Sequence, residues 1–387
     1  MDKVNGFLFA GINCGIKQTK KDLGLVYIKD GATFAGATTR NLFASPTIRH
    51  TKEILKNKNN VYSVLVNSGN ANALTGAKGY NDINDILASL GSITKQPPHS
   101  AVMLSTGIIG KRLPVDTIKK GIPILMNELD ASCNHFATAI CTTDTKEKVF
   151  SKKITINNKT VSVLGIAKGS GMIQPNLATM LAFIFTDACI DQQLLQSVII
   201  DAANNSFNRI TVDSDSSTND SFLLFASNKG VTIDKSSIEV FKEAVEEIAL
   251  KLAKEIIIDG EGATKFVELT INSAKNDEEA RAIFYAIANS PLVKTALFGE
   301  NPNFGRILCS AGKIKSSIIP EKVVLKIGEH ILYRDGEVAD YNLTKLNAYM
   351  KNKNIQICLD LNIGKTNFTG WTTDLSHDYV DINAKYT

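Results

Sequence analysis

The chain has 387 residues, of which 44% are hydrophobic and 21% charged, and 43 basic against 39 acidic side chains leave a net charge of +4. That is ordinary globular composition, and without a basic block it gives no reason to expect nucleic acid or an anionic membrane surface as a partner. The length suits two domains or one large layered one, no apolar run approaches the roughly 20 residues of a membrane helix, and the start "MDKVNGFLFAGINCGIK" lacks a secretory stretch, so a cytoplasmic protein is expected. Six cysteines and five histidines are scattered, with no CxxC pair and no histidines at i, i+4. They read as reduced thiols and ordinary side chains, and no metal site is expected.

In chain order, "VYSVLVNSG" (61–69) and "SAVMLSTG" (100–107) read as buried strands that end in polar loops. Residues 114–130 read as a helix interrupted by Gly121 and Pro123. Residues 152–169 alternate on either side of Asn157-Asn158, a hairpin signal. A short apolar run, Met180 to Phe185, follows a glycine-rich turn and predicts a buried strand. Asp191 can cap a helix carrying Leu194, Leu195, Val198, Ile199 and Ala202. Another helix, over 237–255, has one apolar stripe of Ile238, Phe241, Val245, Ile248 and Leu252. The strand "TKFVELTINSA", a helix over 277–288, a helix near 342–351 and the strand "IQICLDL" complete the pattern. Strands and helices alternate throughout, so the fold class is α/β or α+β in layers.

Several loops are richer in Gly, Asn, Ser and Thr than turns require. "DSDSSTND" offers Asp213, Asp215 and Asp220 to a hard cation, but it lacks the glycine and the distal acid of a calcium loop and reads as an Asx-rich turn. "DGEGATK" lacks phosphate-loop spacing. "LSTGIIG" ends a strand at Thr106-Gly107, where a glycine turn can aim two N–H donors at one oxyanion or simply lead out of the strand. Thr179, between "QPNLA" and the apolar run, has two readings. It can begin a strand, or it can react if the Ala178–Thr179 bond breaks. Its own α-amine, with an ordinary pKa near 7.7–8.0, would then serve as base for its hydroxyl. Lys168 could lower that amine's pKa or hold an anionic substrate.

Together, "GFLFAGINCGIK", "VNSGNANALTGAKG", "STGIIG", "TTDT", "GIAKGSGMIQPNLATMLAFIFTDA", "SFNRITVDSDSSTND", "DGEGATKF", "SPLVKTALFGENPNFGRI" and "DLSHDYVDINAKYT", in that order from residue 6 to 387, resemble the ornithine acetyltransferase (glutamate N-acetyltransferase) family of arginine biosynthesis. The resemblance implies a four-layer α/β/β/α sandwich like that of self-cleaving N-terminal-nucleophile enzymes, with a smaller C-terminal region. It implies cleavage between Ala178 and Thr179 into pieces 1–178 and 179–387, which stay intertwined and pair as an α2β2 heterotetramer. Thr179 would carry acetyl from N2-acetylornithine to glutamate, with Thr106 and Gly107 as oxyanion hole. Substrate contacts would fall to Thr142 (Thr143 as second choice), Lys168, Thr179, Glu261 and Asn383. No cofactor is implied, although some members also accept acetyl-CoA as a substrate. A self-cleaving amidase or peptidase with water as acceptor is the alternative. The sequence departs from the family with Ser214 in its usual "DGD", and with Asn301 and Phe304 in its usual "DPNWGR". The family's terminal Ser or Thr commonly lies one residue beyond Thr387, and its role is not assigned to Thr387.

Overall fold

The computed structural model describes residues 3–57, 60–174 and 180–385. In chain order the strands and helices are β1 (Leu8–Ile12), β2 (Leu23–Thr38), α1 (Pro46–Asn57), β3 (Val61–Asn70), α2 (Gly76–Thr94), β4 (Ala101–Ile108), α3 (Val115–Asn127), α4 (Asn134–Ile140), β5 (Lys148–Ile156), β6 (Lys159–Lys168), β7 (Leu181–Thr186), α5 (Gln192–Asn205), β8 (Ile210–Thr211), β9 (Ser221–Ala226) and α6 (Ile238–Ile258). They continue with β10 (Phe266–Ala274), α7 (Asp277–Ala288), α8 (Pro291–Phe298), α9 (Phe304–Gly312), β11 (Val324–Ile327), β12 (His330–Arg334), β13 (Glu337–Val338), α10 (Leu343–Met350), β14 (Asn354–Asp360), β15 (Thr366–Thr373) and α11 (His377–Ala384). The chain forms two compact units, Met1–Asn208 with Asp215–Ile256, and Arg209–Ser214 with Ile257–Thr387.

In the first unit the strands run in the order β4-β3-β2-β9-β7-β6-β5, with β1 also on β2. β2 is 16 residues long and its pairing breaks between Tyr27 and Ala32. Its first half pairs with β1 and β3, and its second half with β9. It therefore bends from one layer into another, and successive residues point to opposite faces. Val64 and Val66 join one core with Phe9, Val26, Leu104, Leu164, Phe183, Phe185 and Phe225. Leu65, between them, joins Leu25 and Met103 against Ile83 and Ile86 of α2 and Ile118 and Ile122 of α3. On the far side, α6 lies so close to β6 that a Cβ on Gly165 would come within 2.2 Å of Ile248. The order helix, sheet, sheet, helix is the expected four-layer sandwich. Phe185 fastens the inner layer, with ring centroids 5.1 Å from Phe7, 5.3 Å from Phe9 and 5.5 Å from Phe225; each such pair contributes about 0.5–1.5 kcal/mol beyond its buried area.

The expected elements form, with one difference. α3 runs unbroken through Pro123. The proline sits on the exposed side of the helix, while Ile118, Ile122 and Leu125 are buried, and that burial outweighs the lost hydrogen bond, a cost of about 3 kcal/mol. Gly121 leaves room for the core, since its Cβ would come within 2.9 Å of Leu23. In the second unit a mixed sheet, β13-β12-β11-β14-β10-β15-β8, carries a core of Val267, Leu269, Ile271, Phe284, Leu325 and Ile357. The units do not part at 178/179. β6 and β7, on either side of that position, are antiparallel neighbours in one sheet, with Lys168 opposite Leu181.

Candidate active site

β6 delivers Lys168 to the inner layer, in step with Leu164 and Ile166 of the same core face. Its ammonium donates to the Thr142 hydroxyl at 2.8 Å and to the Thr106 hydroxyl at 3.4 Å. Three expected site residues thus meet, and of the two threonines weighed for substrate contact it is Thr142 that takes the Lys168 bond. Behind them lies Asp144. Its carboxylate accepts the N–H groups of Gly169 at 2.7 Å and Thr142 at 3.0 Å, pairs with Lys148 at 2.8 Å, and lies 3.9 Å from Lys168. The side chains of Asp144 and Lys148 are fully buried. Burial alone would raise the Asp144 pKa, but Lys168, Lys148 and the Gly169 N–H outweigh it and hold the carboxyl well below its usual range. A carboxylate fixed in this way stands behind Lys168 and aims it at the two hydroxyls.

The tips of β3 and β4 form the adjoining wall, with Gly69 opposite Gly107. Gly107 has φ +132°, and a Cβ there would fall 2.3 Å from the carbonyl carbon of Gly69 and 2.5 Å from Asn70 N. Only glycine fits this turn. Buried amides brace it. Asn67 accepts from Ser105 at 2.6 Å and donates to the Asn70 carbonyl at 2.8 Å. Asn219 donates to the carbonyls of Ala71 at 2.6 Å and Ser105 at 2.8 Å.

Next to Asn219, Asp220 is wholly buried, and its Oδ2 has no hydrogen-bond partner among the described residues. Burial drives this carboxyl well above its usual range, with Lys168 and Ser217 opposing. Ser221, the next residue, donates its N–H to the Met180 carbonyl at 2.9 Å.

The other two expected contacts lie in the second unit and meet there. The Asn383 amide donates to Glu261 at 2.8 Å. Gly262, at φ +66°, lets the "DGEGATK" loop press onto the start of α11, where its Cβ would lie 2.5 Å from Tyr379 N, and Ser376 donates to the Gly262 carbonyl at 2.6 Å. Tyr379 donates in turn to Asp213 at 3.2 Å. Ala178, Thr179 and Thr387 lie outside the described residues.

Reading the sequence by motif missed Asp144, Lys148 and Lys17, and weighed Asp220 only as a cation ligand or part of an Asx-rich turn. Asp144 and Lys148 stand four apart after "TT", a spacing that suggests an ion pair but does not indicate its burial. Lys17 closes "CGIK". Its ammonium donates to the carbonyls of Cys141 at 2.5 Å and Lys21 at 3.2 Å. Burial lowers its pKa to about 8, opposed by Cys141 and Asp22 and assisted by Lys168.

The ArgJ family matches residues 8–387. The chain is 42% identical over 386 residues to the arginine biosynthesis bifunctional protein ArgJ of Chlorobaculum tepidum, covering 98% of this chain and 95% of that protein. It is 38% identical to the ArgJ of Thermotoga neapolitana, covering 98% of each. The crystal structure of ArgJ from Bacillus halodurans is similar with a TM-score of 0.51 at 38% identity, over 54% of this chain and all of that one. Motif order, fold and these likenesses agree, and the chain belongs to the ArgJ family.

Proposed function

We propose that this chain moves an acetyl group from N2-acetylornithine to glutamate through Thr179, after cutting itself between Ala178 and Thr179, and needs no cofactor. Acyl transfer within arginine biosynthesis comes with membership of the family; the covalent route is our reading. The observation that carries it is the convergence of the Lys168 ammonium on the hydroxyls of Thr106 and Thr142, beside the glycine turn at Gly107. Lys168 is also the ladder partner of Leu181, two residues after Thr179 in the chain.

In this route the α-amine freed by the cut takes the Thr179 hydroxyl proton, and the oxygen attacks the acetyl carbonyl. The strand end at Thr106 and Gly107 holds the oxyanion. Ornithine leaves with the proton, and the amine of glutamate then attacks the acetyl-threonine by the same steps in reverse. Glu261 and Asn383 would receive the ornithine side-chain ammonium. The two pieces pair as an α2β2 heterotetramer in the cytoplasm; among the described residues no helix is long and apolar enough to cross a membrane.

Mass spectrometry of the purified protein tests the first step: two fragments meeting at 178/179 are expected, and Thr179→Ala abolishes them. An intact chain with full activity refutes the route. Ornithine release from acetylornithine, measured with and without glutamate, separates transfer from hydrolysis, because release that glutamate does not accelerate makes the protein an amidase. Acetyl-CoA with glutamate alone reveals whether the thioester also serves as donor.

A further inference from the structure

Lys17 belongs to none of the contacts assigned above, yet it stands in the same corner of the first unit. Four consecutive N–H groups wrap the Asp22 carboxylate, those of Cys14 at 2.7 Å, Gly15 at 3.2 Å, Ile16 at 2.7 Å and Lys17 at 2.8 Å. The wrap turns the loop so that the Lys17 stem crosses Gly69, where a Cβ would lie 3.2 Å from Lys17 Cγ. Gly69 is the strand partner of Gly107. The ammonium reaches the carbonyl of Cys141, the residue before Thr142, and is near enough to Lys168 for the two charges to repel. Two of its three N–H groups are used on carbonyls, and the third has no partner among the described residues.

The charges of this corner do not balance. Lys17, Lys148 and Lys168 bring three ammonium groups, and Asp22 and Asp144 bring two carboxylates. Burial opposes a charge on Asp220. Asp144 is saturated by its two lysines and two N–H groups, so the excess charge rests at Lys17 and Lys168, on the side of the Thr142 hydroxyl. A partly buried surplus cation is costly until an anion joins it. Both proposed substrates and both products carry one α-carboxylate, whatever their side chains.

We propose that Lys17 is a substrate-binding residue that takes the α-carboxylate of each amino acid passing through the site, and that Asp22 positions it. This rests on the acyl-transfer reading and refines it: Lys168 orders Thr106 and Thr142 at the reacting end, and Lys17 anchors the end that stays the same in donor and acceptor.

The test compares N2-acetylornithine with its α-amide, which keeps the acetyl group and side chain and loses the charge. A charge-assisted hydrogen bond is worth about 1.5–3 kcal/mol, or roughly 10–100-fold in affinity. Lys17→Met should raise KM for the acid by that factor and leave KM for the amide within about twofold, which erases the wild-type preference. Lys17→Arg, which keeps the charge, should retain most of it. A parallel calorimetric titration with ornithine and its α-amide, neither of which carries an acetyl group to transfer, reads the same preference without turnover. A protein that transfers no acetyl but shows this binding pattern overturns the acyl-transfer reading and keeps the carboxylate anchor. Equal losses for acid and amide in Lys17→Met, or no loss for either, overturn the anchor.

Discussion

Replacing Asp144 with asparagine removes one charge and almost no volume, so its effect reports on the ion cluster alone. In the wild type this carboxylate neutralises Lys148, which is fully buried, and stands 3.9 Å from Lys168, whose side chain is 10% exposed. The neutral amide would leave two ammonium groups facing one another without a counter-charge. Breaking a buried pair from one side costs about 3–5 kcal/mol, and about 2–4 °C of melting temperature is lost per kcal/mol in a unit of this size. A fall of roughly 6–20 °C is therefore expected by scanning fluorimetry at pH 7. The double variant Asp144→Asn, Lys148→Met removes the second charge and should regain at least half of that loss, while acyl transfer stays impaired because Lys168 has lost the group that aims it. The pH dependence follows from the depressed pKa. The carboxylate stabilises the fold above its unfolded-state pKa near 3.8, and the stability is lost as pH falls toward the lower folded value. The single variant should thus show a flatter acid limb than the wild type. A single variant melting within about 2 °C of wild type, or a double variant no better than the single, would refute this account of the cluster.

Asp220→Asn tests the opposite case: the folded pKa is raised above the unfolded 3.8, so this group favours the fold at low pH and loses its contribution as pH rises toward the folded value. The variant should match wild type near pH 3.5 and be the more stable protein at pH 8, and identical melting curves at both pH values would mean that the carboxyl is ionised like any surface acid. Gly107→Ala places a methyl group within 2.3 Å of the Gly69 carbonyl carbon; it should lower kcat by about 10²–10³-fold, the usual effect of losing an oxyanion donor, with KM little changed, and an unaltered kcat would remove this turn from the chemistry.

Most of the fold could be read from local patterns. The hairpin at Asn157-Asn158, the Asp191 cap, whose carboxylate accepts from Gln193 and Leu194, and the stripe of α6 each depend on residues a few positions apart. β2 was not legible in this way, because a glycine at 31 and charges at 29 and 30 interrupt its apolar alternation where it bends. The site divides in a similar manner. Thr106, Gly107, Thr142, Lys168, Glu261 and Asn383 came from motif resemblance, and the contacts Lys168–Thr142 and Asn383–Glu261 bear on those choices. The roles of Asp144 and Asp220 come from burial, which three-dimensional packing decides. That of Lys17 depends on a loop folded around Asp22. No spacing in the sequence encodes those environments.

The strand order of the first unit constrains when a cut before β7 could be made. Strands β1 to β6 precede residue 178, and β7 and β9 follow it, yet β9 and β7 lie side by side between β2 and β6. Taken alone, the earlier segment would carry two disconnected half-sheets with raw edges facing an empty slot two strands wide. The later segment would carry the missing pair of strands with nothing on either flank. Neither segment can complete the sheet of the first unit by itself, so that unit must be assembled from a single thread, and any scission at 178 has to follow its assembly.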